Sequence, residues 1–262
     1  MNLTKNYLDV SKTAVDDYIK ATVPIFTVKF REGKRKTSYV GSSFYVKYKN
    51  NFFLITANHV FVEAKPLLIP CSDTRIESLL YDFEASAKNT QYDLTVFRLV
   101  EKLKDRRFIP YELYETELDD NFLEPRLYIA FGFPGSKVNF YNGKMNGHFK
   151  LFYTIKENEQ EYKRLNKNEN DYLLLQFDKK DVVENGNRKI FCNPNGMSGG
   201  CVVSLHPDLI IPVRFEGILI EWDVEKKKTM IAVRKQYVKY LLEHLRSLPV
   251  NVTFEDCRSI SH

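Results

Sequence analysis

The chain lacks any apolar run approaching the ~20 residues that span a bilayer, and its opening stretch MNLTKNYLDVSK has no apolar core ahead of a small-residue cleavage site. Neither a membrane anchor nor an export signal is expected, and the expected setting is cytoplasmic. Cysteine is sparse. Cys71, Cys192, Cys201 and Cys257 show no C-x-x-C spacing, so free thiols are expected and no metal centre or disulfide framework. Charge of one sign is lacking too: 39 Lys and Arg face 34 Asp and Glu, a net charge of +5. That excess is too mild to mark a nucleic-acid surface. The basic runs KFREGKRK (29–36) and EKKK (225–228) fall where hairpin turns are expected, with no aromatics interleaved as in a stacking platform. No nucleic acid and no membrane is expected as a partner.

What is present is a globular composition, 44% hydrophobic and 28% charged, over a length that permits one large domain or two smaller ones. Residues 11–21, SKTAVDDYIKA, put Ala14, Val15, Tyr18 and Ile19 on one helical face, with Ser11 or Thr13 as N-cap and Pro24 just beyond. The period then changes to two. IFTVKF (25–30) and SFYVKY (43–48) alternate, NFFLITANHVF (51–61) reads as a buried strand ending at Asn58 and His59, and DLTVFRLV (93–100) is another short strand. An acidic stretch, ELYETELDDNFLEP (112–125), interrupts the strands and is the candidate linker.

Further strands are expected at RLYIAFGFP (126–134), HFKLFYTI (148–155), DYLLLQFD (171–178), GCVVSL (200–205) and PVRFEGILIEW (212–222). IKENEQEYKRLNKNEND (155–171) reads as a mobile polar loop. Val238, Leu241, Leu242 and Leu245 make the apolar stripe of one closing helix. Many short strands without βαβ alternation predict antiparallel barrels or a sandwich.

Three points on this strand map carry chemistry. His59 ends a buried strand in LITANHV, Asp93 opens one in QYDLTVF, and Ser198 sits in the glycine-rich turn NPNGMSGGCVV (193–203). A serine hydroxyl is a poor nucleophile without an adjacent base, and a base needs a group that fixes its tautomer. The remaining histidines, His148, His206, His244 and His262, have no matching partners and read as surface residues.

These segments resemble the trypsin-like serine proteases. LITANHV resembles the family's L-T-A-A-H segment, YDLTVFRL its aspartate strand, and GMSGGCVV its G-[DN]-S-G-G block. GSSFYV (41–46) and YIAFGFPG (128–135) resemble two further strands, so the likeness runs from residue ~25 to ~236. It implies an all-β, chymotrypsin-like fold of two antiparallel six-stranded Greek-key β-barrels flanked by an N-terminal and a C-terminal helix. The implied boundaries are a helical segment over 1–24, a first barrel over 25–117 with His59 and Asp93, a linker over 118–125, a second barrel over 126–233 with Ser198, and a closing helix and tail over 234–262. His59 is implied as general base, Asp93 as its orienting carboxylate, and Ser198 as nucleophile, with the amides of Gly196 and Ser198 as the oxyanion hole. No cofactor or metal is implied.

The resemblance also has departures. Met197 stands where the family has the aspartate that pairs with a freed N-terminal amine during maturation, so that switch is expected to be absent, and activity to be intrinsic or set by a regulatory partner or loop ordering. Cys192 stands where trypsin carries its pocket aspartate, beside Asn193. GILIEWD (217–223) resembles the substrate-binding strand, with Ile220, Glu221 and Trp222 as candidate substrate contacts. A one-residue slip would exchange which of these faces the substrate. The expectation is a serine endopeptidase acting on a chosen protein or peptide, of the kind found among bacterial stress or anti-phage defence effectors. The rival readings are a silent protease-fold module that binds peptide, and an esterase using the same three residues.

Overall fold

Period-two alternation in the first third of the chain becomes a long antiparallel hairpin in the computed structural model, which describes residues 15–31, 34–64, 66–72, 75–78, 83–103, 107–119, 125, 127–141, 144–177, 182–184, 187–189, 193–206, 213–223 and 229–249. A helix over residues 15–21 (α1) leads into β1 (Thr22–Arg31) and β2 (Lys34–Tyr48). These pair from Thr22↔Phe44 to Arg31↔Lys34, so the described residues of the first basic run lie on the paired ends of β1 and β2. There follow β3 (Asn51–Ala57), α2 (Asn58–Glu63), β4 (Leu68–Ser72), β5 (Arg75–Ser78), β6 (Phe83–Asn89), β7 (Leu94–Leu99) and β8 (Tyr111–Glu112). Their sheet runs β5-β4-β1-β2-β3-β7-β6, with β8 pairing parallel to β2. It therefore holds eight strands rather than six: seven in antiparallel succession, and β8 added where the fifteen-residue β2 extends past its hairpin partner and offers Val46 and Lys47.

The second half forms β9 (Leu127–Gly132), a side hairpin of β10 (Val138–Tyr141) and β11 (Lys144–Gly147), β12 (Lys150–Thr154), α3 (Glu159–Arg164) and β13 (Tyr172–Gln176). It continues with a second side hairpin of β14 (Val182–Glu184) and β15 (Asn187–Lys189), then β16 (Cys201–Leu205), β17 (Val213–Trp222), β18 (Thr229–Arg234) and α4 (Lys235–Ser247). The six-stranded order is β12-β9-β16-β17-β18-β13. Its two ends meet where Thr154 Oγ1 donates to the Gln176 carbonyl at 2.6 Å, the Gln176 amide to Ile155 at 3.0 Å and the Glu157 amide to Leu174 at 2.9 Å. Closure of this kind leaves apolar strands without unpaired edges.

Three sequence expectations change. His59 lies in the first turn of α2, not at a strand end, since β3 stops at Ala57. The stretch read as a mobile polar loop contains α3, capped by Asn158 accepting from the Glu161 amide, with acids in its first turn, bases in its last and Tyr162 buried. His206 is buried, where a surface position was expected.

The acidic stretch taken as linker also holds a fully buried carboxylate, Glu117. Its Oε2 accepts from Tyr18 at 3.2 Å and Tyr111 at 2.9 Å, while Oε1 accepts the Tyr114 amide at 3.2 Å. Tyr18, from α1, lies 4.1 Å from the Tyr111 ring and 6.0 Å from the Phe131 ring. One core cluster thus includes both sheets and α1. On the far side α4 buries the expected stripe Val238, Leu241, Leu242 and Leu245, and Arg98 of β7 donates to the Leu245 carbonyl at 2.5 Å and to Leu248 at 3.0 Å. Among the described residues no helix is long and apolar enough to cross a membrane.

Glu117→Ala should lower the unfolding free energy by about 2–4 kcal/mol, because two buried hydroxyls lose their acceptor and a cavity opens between the sheets. Urea unfolding checks this, and a loss below about 0.5 kcal/mol would show that the carboxylate does not join the sheets.

Candidate active site

His59 and Asp93 are held by more than their own contact. The helix α2 has no side-chain cap of its own, so its first amides need acceptors from elsewhere. Asp93 supplies them. Its carbonyl takes the Asn58 amide at 2.8 Å, its Oδ1 takes the His59 amide at 2.9 Å, and its Oδ2 lies 2.6 Å from His59 Nδ1. The carboxylate oxygen accepts, so Nδ1 carries the proton and Nε2 of the neutral ring keeps its lone pair for a substrate-side proton. The imidazole is 44% exposed and is not turned into the core.

Holding this carboxylate requires an unusual backbone. Asp93 has φ 52°, a left-handed conformation that costs a side-chain-bearing residue of order 1 kcal/mol. Its neighbour Tyr92 is gripped by the second half of the chain. The Tyr92 ring stacks 3.7 Å from Tyr237 of α4 and packs at 5.8 Å against Tyr172 of β13. Tyr237 in turn donates to Asp171 Oδ1 at 2.5 Å and lies within 2.9 Å of the Tyr92 hydroxyl.

The hydrogen bond to Asp93 pushes the His59 pKa above its ordinary 6.5; burial opposes this, and the charges of Asp93, Glu63 and Glu221 add to it.

Ser198 sits half-buried in the glycine turn. The turn is fixed carbonyl by carbonyl. The Asn195 carbonyl accepts the Gly135 amide at 2.6 Å, and Gly196 accepts from Tyr39 at 2.6 Å and Ser42 at 3.0 Å. Met197 accepts the Gly200 amide at 2.9 Å, and Ser198 accepts the Ser42 amide at 2.8 Å. Neither the Gly196 amide nor the Ser198 amide donates to another described residue. Gly196 has φ +94° and Gly199 φ +89°, and a Cβ on Gly199 would stand 1.8 Å from the Ser42 carbonyl. Both positions therefore demand glycine.

The two halves of the site are neighbours. Gly41 packs between them: a Cβ there would be 2.6 Å from Val60, next to His59, and 3.2 Å from the Ser198 carbonyl. Among the described residues no hydrogen bond joins the Ser198 hydroxyl to His59. Catalytic contacts often tighten only with substrate bound.

Of the residues expected to meet substrate, Cys192 lies outside the described residues. Asn193 is exposed and accepts the Asn195 amide at 3.1 Å. Along β17 the register shifts between Leu219 and Glu221, so Ile220 falls in a bulge with its side chain in the core. Glu221 is exposed, and Trp222 is half-buried with its indole N–H donating to Asn195 Oδ1 at 2.6 Å. Met197 is buried against Gly132 and the second-sheet core, which accounts for an apolar residue before the serine.

A second grouping looks similar and is not equivalent. Ser204 Oγ donates to Glu216 at 2.6 Å and lies 2.9 Å from His206 Nε2. The hydroxyl stands between acid and imidazole, so the imidazole cannot be oriented by the acid while serving the serine. Burial pushes the His206 pKa down, keeping the ring neutral.

Sequence reasoning missed Tyr39, Ser42, Tyr92 and Tyr237. The only local signal was the position of Tyr39 and Ser42 around Gly41 in SYVGSSF.

No family model matches the chain, and no curated protein matches it. Among solved structures the chain is similar to "HtrA-type protease AlgW with decapeptide", at 18% sequence identity and a TM-score of 0.53, over 89% of this chain and 66% of that one. With the paired sheets described above, that likeness defines the architecture as a chymotrypsin-like two-barrel fold.

Asp93→Asn should bring the His59 titration midpoint, followed by NMR, down toward or below 6.5. The raised midpoint also contributes stability that is present below pH 6.5 and fades as pH rises through the folded value. A midpoint unmoved by the substitution would remove Asp93 as its cause.

Proposed function

We propose that this protein is a serine endopeptidase that cleaves a protein or peptide through an acyl-enzyme. The observation that carries the reading is the Asp93 carboxylate, which takes both the His59 amide at 2.9 Å and His59 Nδ1 at 2.6 Å and leaves Nε2 as the free base. Ser198 Oγ attacks the peptide carbonyl and passes its proton to His59 Nε2. The carbonyl oxygen becomes an oxyanion facing the Gly196 and Ser198 amides, which hydrogen-bond nothing else among the described residues. The tetrahedral species then collapses, His59 returns the proton to the leaving amine, and water repeats the sequence to free the acyl group. Apart from the substrate and that water, these steps use side chains and amides of the chain itself.

Substrate contacts are assigned to Asn193, Glu221 and Trp222, which border the serine turn. A peptide ligand is supported by analogy with the similar HtrA-type protease, whose structure is with a decapeptide. The compartment we assign is the cytoplasm, consistent with the free thiol of Cys201. A stress- or phage-linked role is assigned by analogy alone.

A fluorophosphonate probe tests the nucleophile. Wild-type protein should be labelled, Ser198→Ala should not, and Asp93→Asn should label about 10⁴-fold more slowly. A folded wild type left unlabelled at any protein concentration would favour a peptide-binding module. Labelling with turnover of esters but of no peptide in a library would favour an esterase.

A further inference from the structure

Met197 of the serine turn offers no carboxylate to a freed amine, yet all four carbonyls from Asn195 to Ser198 are engaged. In a trans peptide the C=O and N–H point in opposite directions. Fixing the Asn195 carbonyl on Gly135 therefore turns the Gly196 N–H to the other side, and fixing Met197 on Gly200 does the same for the Ser198 N–H. Between these two peptides lies that of Gly196 and Met197. Its carbonyl is held from the first barrel, by Tyr39 at 2.6 Å and Ser42 at 3.0 Å.

The protons on this anchor can be counted. The Phe133 amide donates to Ser42 Oγ at 2.9 Å, and of the acceptors left to the Ser42 proton the Gly196 carbonyl at 3.0 Å is nearer than the Tyr39 oxygen at 3.2 Å. Tyr39 has one proton and two carbonyls, Phe133 and Gly196, each at 2.6 Å. Its ring packs edge-on to Phe26 at 5.6 Å, and a Cβ on Gly196 would come within 2.6 Å of the same ring. Burial pushes the phenol pKa up, so Tyr39 keeps its proton at neutral pH.

We propose that Tyr39, assisted by Ser42, is the positioning residue that holds the Gly196–Met197 peptide so that the Gly196 and Ser198 amides face the reacting carbonyl as soon as the chain folds. The inference rests on reading Ser198 as the nucleophile. It makes competence intrinsic, with the lock supplied by the first barrel rather than by a liberated chain end.

Tyr39→Phe tests it, because the ring remains and only the donor is lost. Fluorophosphonate labelling of Ser198 should slow about tenfold to a hundredfold, less than the 10²–10³ lost when an oxyanion donor is itself removed. The pH midpoint of labelling, set by His59, should stay in place and the melting temperature should change by only a few degrees. Ser42→Ala should slow labelling by a smaller factor, and it carries the test if Tyr39→Phe does not fold.

In both variants the Gly196 and Ser198 amide resonances should move. Should the wild type prove unreactive, the proposed reaction fails, and these resonances alone decide the role of Tyr39. Labelling at the wild-type rate in both variants, or unmoved amide resonances, would overturn the proposal. So would slowing that is matched by a shifted His59 midpoint, since the disturbance would then be general.

Discussion

The hydrogen bonds by which β2 grips the glycine turn are the constraint on which the rest of the site depends. Each is worth only about 1 kcal/mol net, yet together they decide where two amides and one hydroxyl point. The Ser42 amide binds the Ser198 carbonyl, its hydroxyl and that of Tyr39 bind Gly196, and Gly199 has no room for a side chain against the Ser42 carbonyl. If the two barrels slid apart by an ångström, every one of these contacts would lengthen at once. The site is therefore a property of the seam between the barrels.

On the opposite side of the site a single carboxylate has two duties. Asp93 completes the amide end of α2 and orients the imidazole carried by that helix. The backbone strain at Asp93 is offset by the acceptors it provides and by the tyrosines that brace Tyr92 from β13 and α4. Position and protonation of the imidazole thus have one cause. The acid cannot be moved without loosening the helix that bears its partner.

Much of this was legible in the sequence, and the reasons are physical. Period-two alternation marked the strands because each has one buried face, and the stripe Val238, Leu241, Leu242 and Leu245 marked α4 because a docked helix must be apolar on one side. The segments of His59, Asp93 and Ser198 stood out because their local contexts are distinctive, and the structure brings the first two into contact. Tyr39 was not: its partner Gly196 lies 157 positions away, and a tyrosine in a strand has many ordinary uses. Glu117 looked like one acid among several in a linker, and only the folded chain puts two tyrosine hydroxyls on it. The bulge at Ile220 was unreadable as well, since one extra residue in β17 leaves no compositional trace.

The two ends of the described chain cross over. Helix α1 precedes the first barrel, yet Tyr18 lies against Phe131 of β9, while α4 follows the second barrel and its final carbonyls are held by Arg98 of β7. Each barrel is thereby buckled to a helix from the far terminus. Fragments divided at the acidic connection would separate the Arg98 Nη groups from their helix-end carbonyls, leaving Arg98 with Glu84 of β6 in one piece and stranded carbonyls in the other. Such halves would be interdependent pieces that recover their shape by reassociating, and exchanging one barrel for a foreign one would require its terminal buckle to travel with it.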